Sequence, residues 1–222
     1  MLASTRTRSD SNKLKIYADE KEAYANKLEH NLSDSLHAIA LTVEQRDPYT
    51  AGHMTRVSEL AAAIARKLAL SDDEIHGISL GAAIHDLGKI YIPSEILTRP
   101  GKLLPMGFEI IKSHSQVGYD ILKDIDFPWP ISDMVLYHHE RLDGSGYPRG
   151  LKGDEIPYEA QILAVADVVE AVSSPRPYRA SLGIDKALAV IKKGEGQHYN
   201  AEIVDACVDL FEKDGFVFTS EF

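Results

Sequence analysis

Apolar residues recur along this chain at three- and four-residue intervals, and strand-like alternation never holds for more than a few positions. Between 51 and 69, His53, Val57, Leu60, Ile64 and Leu68 fall on one helical face. Ser71 and Glu74 form a capping box, which predicts a helix running from there to about His85. Pro93 and Pro100–Gly101 break the chain. Pro105 suits the first turn of the next helix, and Ser115 is a candidate cap for another short one. The Pro128–Trp129–Pro130 run ends that region. Helices are expected over 131–140 and 158–173, separated by a loop that holds Gly144, Gly146, Pro148, Gly150, Gly153 and Pro157. Two more, near 184–193 and 200–212, complete the series, the last capped by Asn200. The fold class is all-α, without an internal repeat.

Residues 1–12, rich in Ser, Thr, Arg and Asp, read as a disordered head. Residues 13–39 read as a charged helical linker in which Leu14, Tyr17, Tyr24 and Leu28 keep a helical spacing that Lys21 and Asn31 interrupt. That pattern suits a short coiled coil, or a solvated helix lying on the domain. A homodimer or an upstream sensor domain is the partner expected for it. The main domain spans 40–212, followed by a tail over 213–222.

The 222 residues are 44% hydrophobic, enough for one large core and too ordered a composition for a disordered chain. A formal charge of −10 argues against non-specific nucleic-acid or anionic-membrane binding. The single cysteine, Cys207, forms no internal disulfide and rules out a cysteine-rich zinc site; it reads as a small core residue. No apolar run reaches membrane-spanning length and the N-terminus lacks a signal-peptide apolar stretch, so a soluble cytoplasmic protein is expected.

Nine histidines change this picture. His30, His37, His76 and His198 fit exposed or hydrogen-bonded roles. The others sit on inward-facing positions. His53 heads an apolar stripe, His85–Asp86 follows the run Leu80–Ile84, and His138 lies on the face of Ile131 and Val135. His114 and His139 join them. Asp167 interrupts the most apolar helix, 162–172, where a carboxylate is costly unless paired or coordinating a cation. Nitrogen and oxygen donors without thiolate suit Fe, Mn, Zn, Co or Ni. Seven ligands exceed one ion. A bridging Asp86 suggests two ions about 3.5–4 Å apart, as in two-metal phosphoester-cleaving sites.

The segments HDLGK at 85–89 and HHERLDGSGYP at 138–148 resemble the HD-GYP family of bacterial cyclic-di-GMP phosphodiesterases within the HD superfamily. RDPYTAGH at 46–53, IPSEILTRPGKL at 92–103, ILAVADV around Asp167 and RPYR at 176–179 extend the likeness over roughly residues 40–212. The resemblance implies an HD-domain helical bundle that hydrolyses cyclic di-GMP to pGpG, and on to GMP, with a water activated by two metal ions. His53, His85, Asp86 and Asp167 would hold one ion; Asp86, His114, His138 and His139 would hold the other. Iron or manganese is the expected pair, with zinc, nickel and cobalt as alternatives. Asp86 and Lys89 are the implied catalytic residues, and Lys89, Tyr147, Arg176 and Arg179 the implied substrate contacts. Two divalent ions, two aspartates and three basic residues leave a positive pocket in an acidic protein.

Some family members hold a third ion through a glutamate one helical turn before the first histidine. Tyr49 occupies that position here, with Asp47 and Glu44 off register, so two ions are expected. Hydrolysis of 3′,3′-cyclic GMP-AMP or another nucleotide, and a non-catalytic cyclic-dinucleotide receptor, are the alternative functions. No base-reading residue can be picked out from the sequence.

Overall fold

The computed structural model describes residues 2–46, 52–99, 101, 104–175 and 181–219. Those residues form helices joined by loops, with no strand among them; isolated bridges pair Asp143 with Lys152 and Glu195 with Tyr199. The all-α expectation holds. The chain divides into two compact units, Met1–Ala38 and Ile39–Phe222.

Helix α1 spans Leu2–Glu44. It begins at Leu2, so the head expected to be disordered over 1–12 is helical wherever it is described. Within the first unit Leu14, Tyr17, Tyr24 and Leu28 are all exposed. Their spacing is helical, but their apolar surface remains open to solvent.

In the second unit, α2 (His53–Lys67), α3 (Asp72–Ala83), α4 (Ser94–Leu97), α5 (Pro105–Leu122), α6 (Ile131–Tyr137), α7 (Tyr158–Ser173), α8 (Ile184–Lys193) and α9 (Ala201–Glu212) follow in order. A 3₁₀ turn, Leu87–Tyr91, sits between α3 and α4. Helix α7 is the centre: it packs against α2, α6, α8 and α9. Ile162, Leu163, Val165, Ala166 and Val169 are fully buried there, against Val57, Leu60 and Ile64 of α2 and Ile203, Val204 and Cys207 of α9 in one apolar cluster. Truncating any of the large aliphatic members to alanine would cost about 2–5 kcal/mol. The inward stripe read from α2 is the face that enters this core, and Cys207 is the small core residue it was expected to be.

Local signals set several helix ends. Ser71 accepts from the Glu74 amide while the Glu74 carboxylate accepts from the Ser71 amide, completing the capping box. Asn200 Oδ1 accepts from the Glu202 amide at 3.0 Å. Pro105 is the first residue of α5, where its missing N–H has no cost. Ser115, expected to cap a separate short helix, instead lies buried inside α5. The capping preference of serine is local and weak, and a continuous helix carrying His114 and Gly118 inward overrides it. The tail also differs from a free extension: Phe216 and Phe218 pack on the core cluster, and Thr219 bonds to Glu59.

Candidate metal centre

Four elements deliver the inward-facing histidines. His53 opens α2, His85 and Asp86 follow α3, His114 lies in α5, and His138 and His139 follow α6. Asp167 is in the middle of α7. His53, His85, Asp86, His114, His138 and Asp167 are buried, and His139 is half-buried.

Close backbone approach brings these elements together. Gly88 sits against α5, and a Cβ built on it would fall 1.9 Å from the His114 carbonyl oxygen. Only glycine lets the turn after Asp86 lie this close to the helix that carries His114.

The imidazoles are oriented from behind. Nδ1 of His85 lies 2.7 Å from the Ala82 carbonyl, Nδ1 of His114 2.7 Å from Ile111 and Nδ1 of His138 2.8 Å from Val135. A carbonyl oxygen only accepts, so each Nδ1 carries the proton and each Nε2 keeps a lone pair. Those lone pairs converge. Nε2 of His114 and Nε2 of His138 stand 3.3 Å apart, and burial with neighbouring positive charge holds both rings neutral. Two lone pairs facing each other at that distance are placed as two ligands of one cation would be. His139 stacks on His138 with ring centroids 4.0 Å apart, and its own nitrogen joins the His114–His138 group.

Asp86 lies between two clusters. Its Oδ1 is 3.4 Å from His114 Nε2, while its Oδ2 is 3.7 Å from His53 Nε2 and 3.6 Å from His85 Nε2. Asp167 Oδ1 approaches His53 Nε2 at 3.3 Å and His85 Nε2 at 3.9 Å. Burial pushes both carboxyls up in pKa, but the surrounding ammonium and imidazole groups outweigh it. Lys89 and the histidines hold Asp86 well below the carboxylate range, and His53, His85 and His139 do so for Asp167. Ionised carboxylates and neutral imidazoles are the protonation states that metal ions need. The donor atoms of His53, His85 and Asp86 lie within 4.8 Å of one another, as do those of His114, His138 and His139, so each trio could hold an ion. The donor set fits divalent transition-metal ions.

Three buried charged residues escaped the sequence reading as parts of this site. Glu170, one turn beyond Asp167 in α7, is fully buried and bonds to His53 Nδ1 and to the Ser174 hydroxyl. Arg56 Nε and Nη2 donate to Glu170 Oε1 at 2.8 and 2.7 Å. The same signal that singled out Asp167, a charge in an apolar helix, applies to Glu170. Glu140, of the HHE triplet, turns away from the histidines. It accepts from the amides of Arg149, Gly150 and Leu151 at 2.6, 3.1 and 3.1 Å and ties down the loop after Tyr147. Burial works against a charge on His53, yet its bonds to Asp167 and Glu170 raise its pKa to about 9, so an ion bound at its Nε2 would have to displace a proton there.

Residues expected at the substrate divide. Lys89 Nζ lies 2.5 Å from Asp86 Oδ2, beside the cluster. Tyr147 lies over His139 with ring centroids 4.6 Å apart, and burial and nearby carboxylates raise its pKa. Arg176 and Arg179 lie outside the described residues, as do Tyr49 and Asp47. Glu44 is committed elsewhere: its carboxylate accepts from the amides of Gly52 and Met54 at 3.0 and 2.8 Å, closing the start of α2. His76 packs edge-on against Trp129, and His198 pairs with Asp143 at 3.2 Å, both away from the cluster.

The sequence profile of the HD domain matches residues 36–203, which include every histidine and aspartate of the cluster. This chain belongs to the HD-domain family. Among curated relatives of this HD-domain chain is the cyclic di-GMP phosphodiesterase response regulator RpfG of Xanthomonas campestris. It is 38% identical over 92% of this chain and 55% of its own length. A cyclic di-GMP phosphodiesterase of Thermotoga maritima is 39% identical over 89% of this chain and 55% of its own. The chain thus spans about half the length of these two relatives. A solved cyclic GMP-AMP-specific phosphodiesterase of Vibrio cholerae superposes with a TM-score of 0.53. It has 30% identity and covers 82% of this chain and 42% of that one. Among the described residues, no helix is long and apolar enough to cross a membrane.

Proposed function

We propose that this HD domain is a metal-dependent phosphodiesterase that hydrolyses cyclic di-GMP to pGpG and on to GMP. The observation that carries the reading is Asp86, whose two carboxylate oxygens face separate histidine groups within one buried cluster. Relatives named as cyclic di-GMP phosphodiesterases support the substrate. Two divalent ions bound there, iron or manganese, would neutralise the scissile phosphodiester and lower the pKa of an attacking water.

The chain's own residues do the rest. His53, His85, Asp86 and Asp167 are one proposed ligand set, and Asp86, His114, His138 and His139 the other. Glu170 and the three backbone carbonyls engage Nδ1 of His53, His85, His114 and His138, which leaves Nε2 of each ring turned to the cluster. Lys89 holds Asp86 ionised and adds positive charge where a phosphate oxygen would sit. Tyr147 walls one side of the cluster, against His139. Arg176 and Arg179 are assigned to phosphate binding, where guanidinium geometry suits paired oxygens. The N-terminal helix is assigned to self-association or a sensor partner, and the protein to the cytoplasm.

The decisive experiment is metal analysis of the purified protein with product identification after incubation with cyclic di-GMP. Turnover should require divalent metal and vanish in Asp86→Ala together with metal loading. Unimpaired turnover in that variant would overturn the mechanism. Parallel incubation with 3′,3′-cyclic GMP-AMP tests the alternative substrate suggested by the Vibrio cholerae structure. Binding without turnover by the metal-loaded protein would make it a receptor.

A further inference from the structure

Beside the metal cluster, α5 carries a cation and a carboxylate next to the exposed Phe108 ring. Lys112 Nζ lies 4.9 Å from the centre of the Phe108 ring and 5.6 Å from that of Tyr147. Tyr147 itself covers His139, so the Lys112 ammonium stands one ring away from the proposed metal ligands. Glu109 Oε1 receives a hydrogen bond from Lys112 at 2.8 Å. The Glu109 side chain is 68% exposed and that of Lys112 29%, while Phe108 remains 47% exposed. The half-exposed Phe108 ring thus has one cation over it and that cation's carboxylate partner alongside.

We propose that Phe108, Glu109 and Lys112 form a guanine-reading subsite for the dinucleotide whose phosphodiester sits at the metal cluster. The inference rests on the proposed function and adds its base specificity. Guanine offers acceptors at O6 and N7 and donors at N1–H and the N2 amino group. Lysine, with three donors and no acceptor, matches O6 and N7, a pairing also used in guanine recognition elsewhere. An ionised glutamate, acceptor only, matches N1–H and the amino group. Adenine shares the N7 acceptor but carries a donor at N6 and an acceptor at N1, so it keeps one lysine contact and mismatches the others. The exposed Phe108 face supplies a stacking surface for the purine, a contact indifferent to which purine it is. Thus Phe108 supplies affinity, and Lys112 with Glu109 supplies the choice of base.

The test compares wild type, Lys112→Met, Glu109→Gln and Phe108→Ala, each manganese-loaded. Turnover and equilibrium binding are measured with cyclic di-GMP and with cyclic di-AMP. Lys112→Met should raise KM and weaken binding for cyclic di-GMP about tenfold or more, with kcat and metal content unchanged, and the loss for cyclic di-AMP should be clearly smaller. Glu109→Gln should act in the same direction, and Phe108→Ala should weaken both dinucleotides. Equal losses on both dinucleotides in Lys112→Met would overturn base reading and make Lys112 a general anion contact. Unchanged kinetics and binding would overturn the subsite while leaving the proposed function intact. If wild type binds cyclic di-GMP without hydrolysing it, the enzymatic reading fails, and weaker binding by Lys112→Met still supports the subsite. Failure of wild type to bind either dinucleotide overturns both.

Discussion

The Nε2 atoms of His114 and His138 stand 3.3 Å apart, and each ring's other nitrogen is bonded to a main-chain carbonyl. Neither ring can rotate to relieve the contact without orphaning a buried donor. Added Mn²⁺ or Fe²⁺ should therefore raise the melting temperature, and chelation should reverse the rise. A ligand held at a hundred times its Kd stabilises by about 2.7 kcal/mol, which calorimetry resolves. His138→Ala should remove one ion of two by elemental analysis; a full complement in that variant would refute the assignment of the second ligand set.

Glu170 should matter almost as much as a ligand. Glu170→Gln keeps the volume but removes the charge that faces His53 and Arg56. Metal affinity should fall about 10–100-fold, as for other residues that orient a metal-binding histidine. Leaving Arg56 without its buried carboxylate should cost about 3–5 kcal/mol in denaturant unfolding. Joint loss of affinity and stability separates this residue from a ligand on the open side of the cluster.

Gly88→Ala tests the close approach of the turn to α5. The added methyl would strike the main-chain oxygen of His114 at 1.9 Å, an atom that cannot swing aside as a side chain could. Destabilisation of about 1–3 kcal/mol or more is expected, together with weakened metal binding, since Asp86 and His114 must move apart. A stable variant with full metal affinity would show that the turn can shift freely.

Cys207 provides a pH-dependent readout of the core. Burial pushes its thiol from 9.0 up to about 12. In the folded protein it should resist iodoacetamide at pH 8 and react only after denaturation. The unfolded thiol loses its proton first, so stability is unaffected below about pH 9 and falls between 9 and 12. At pH 10 the loss is about 1 kcal/mol. The fall in urea stability from pH 8 to pH 10 should be smaller by that amount in Cys207→Ala; equal falls would place the thiol in contact with water.

Much of this architecture was legible without coordinates because its signals are local. Helix α7 was expected over 158–173 and α8 near 184–193, and both occupy those spans because Pro157 and Gly183 stand at their starts beside strong apolar periodicity. The Ser71–Glu74 box and the Asn200 cap are contacts within one turn, readable from spacing alone. Ser115 shows the limit: a local cap preference yielded to the packing of a continuous helix.

The seven metal-ligand candidates could also be named from sequence, since a carboxylate or imidazole on an apolar face needs an explanation. The facing of their individual atoms could not. Which oxygen of Asp86 faces which histidine, and why Glu170 backs His53 while Glu140 ties a loop, depend on residues brought together from distant parts of the chain. Periodicity reports which face of a helix is buried, because burial acts on each helix separately. Only the packing of α2, α5, α6 and α7 decides what those faces meet, and hydrogen-bond geometry then sets which atoms remain to bind.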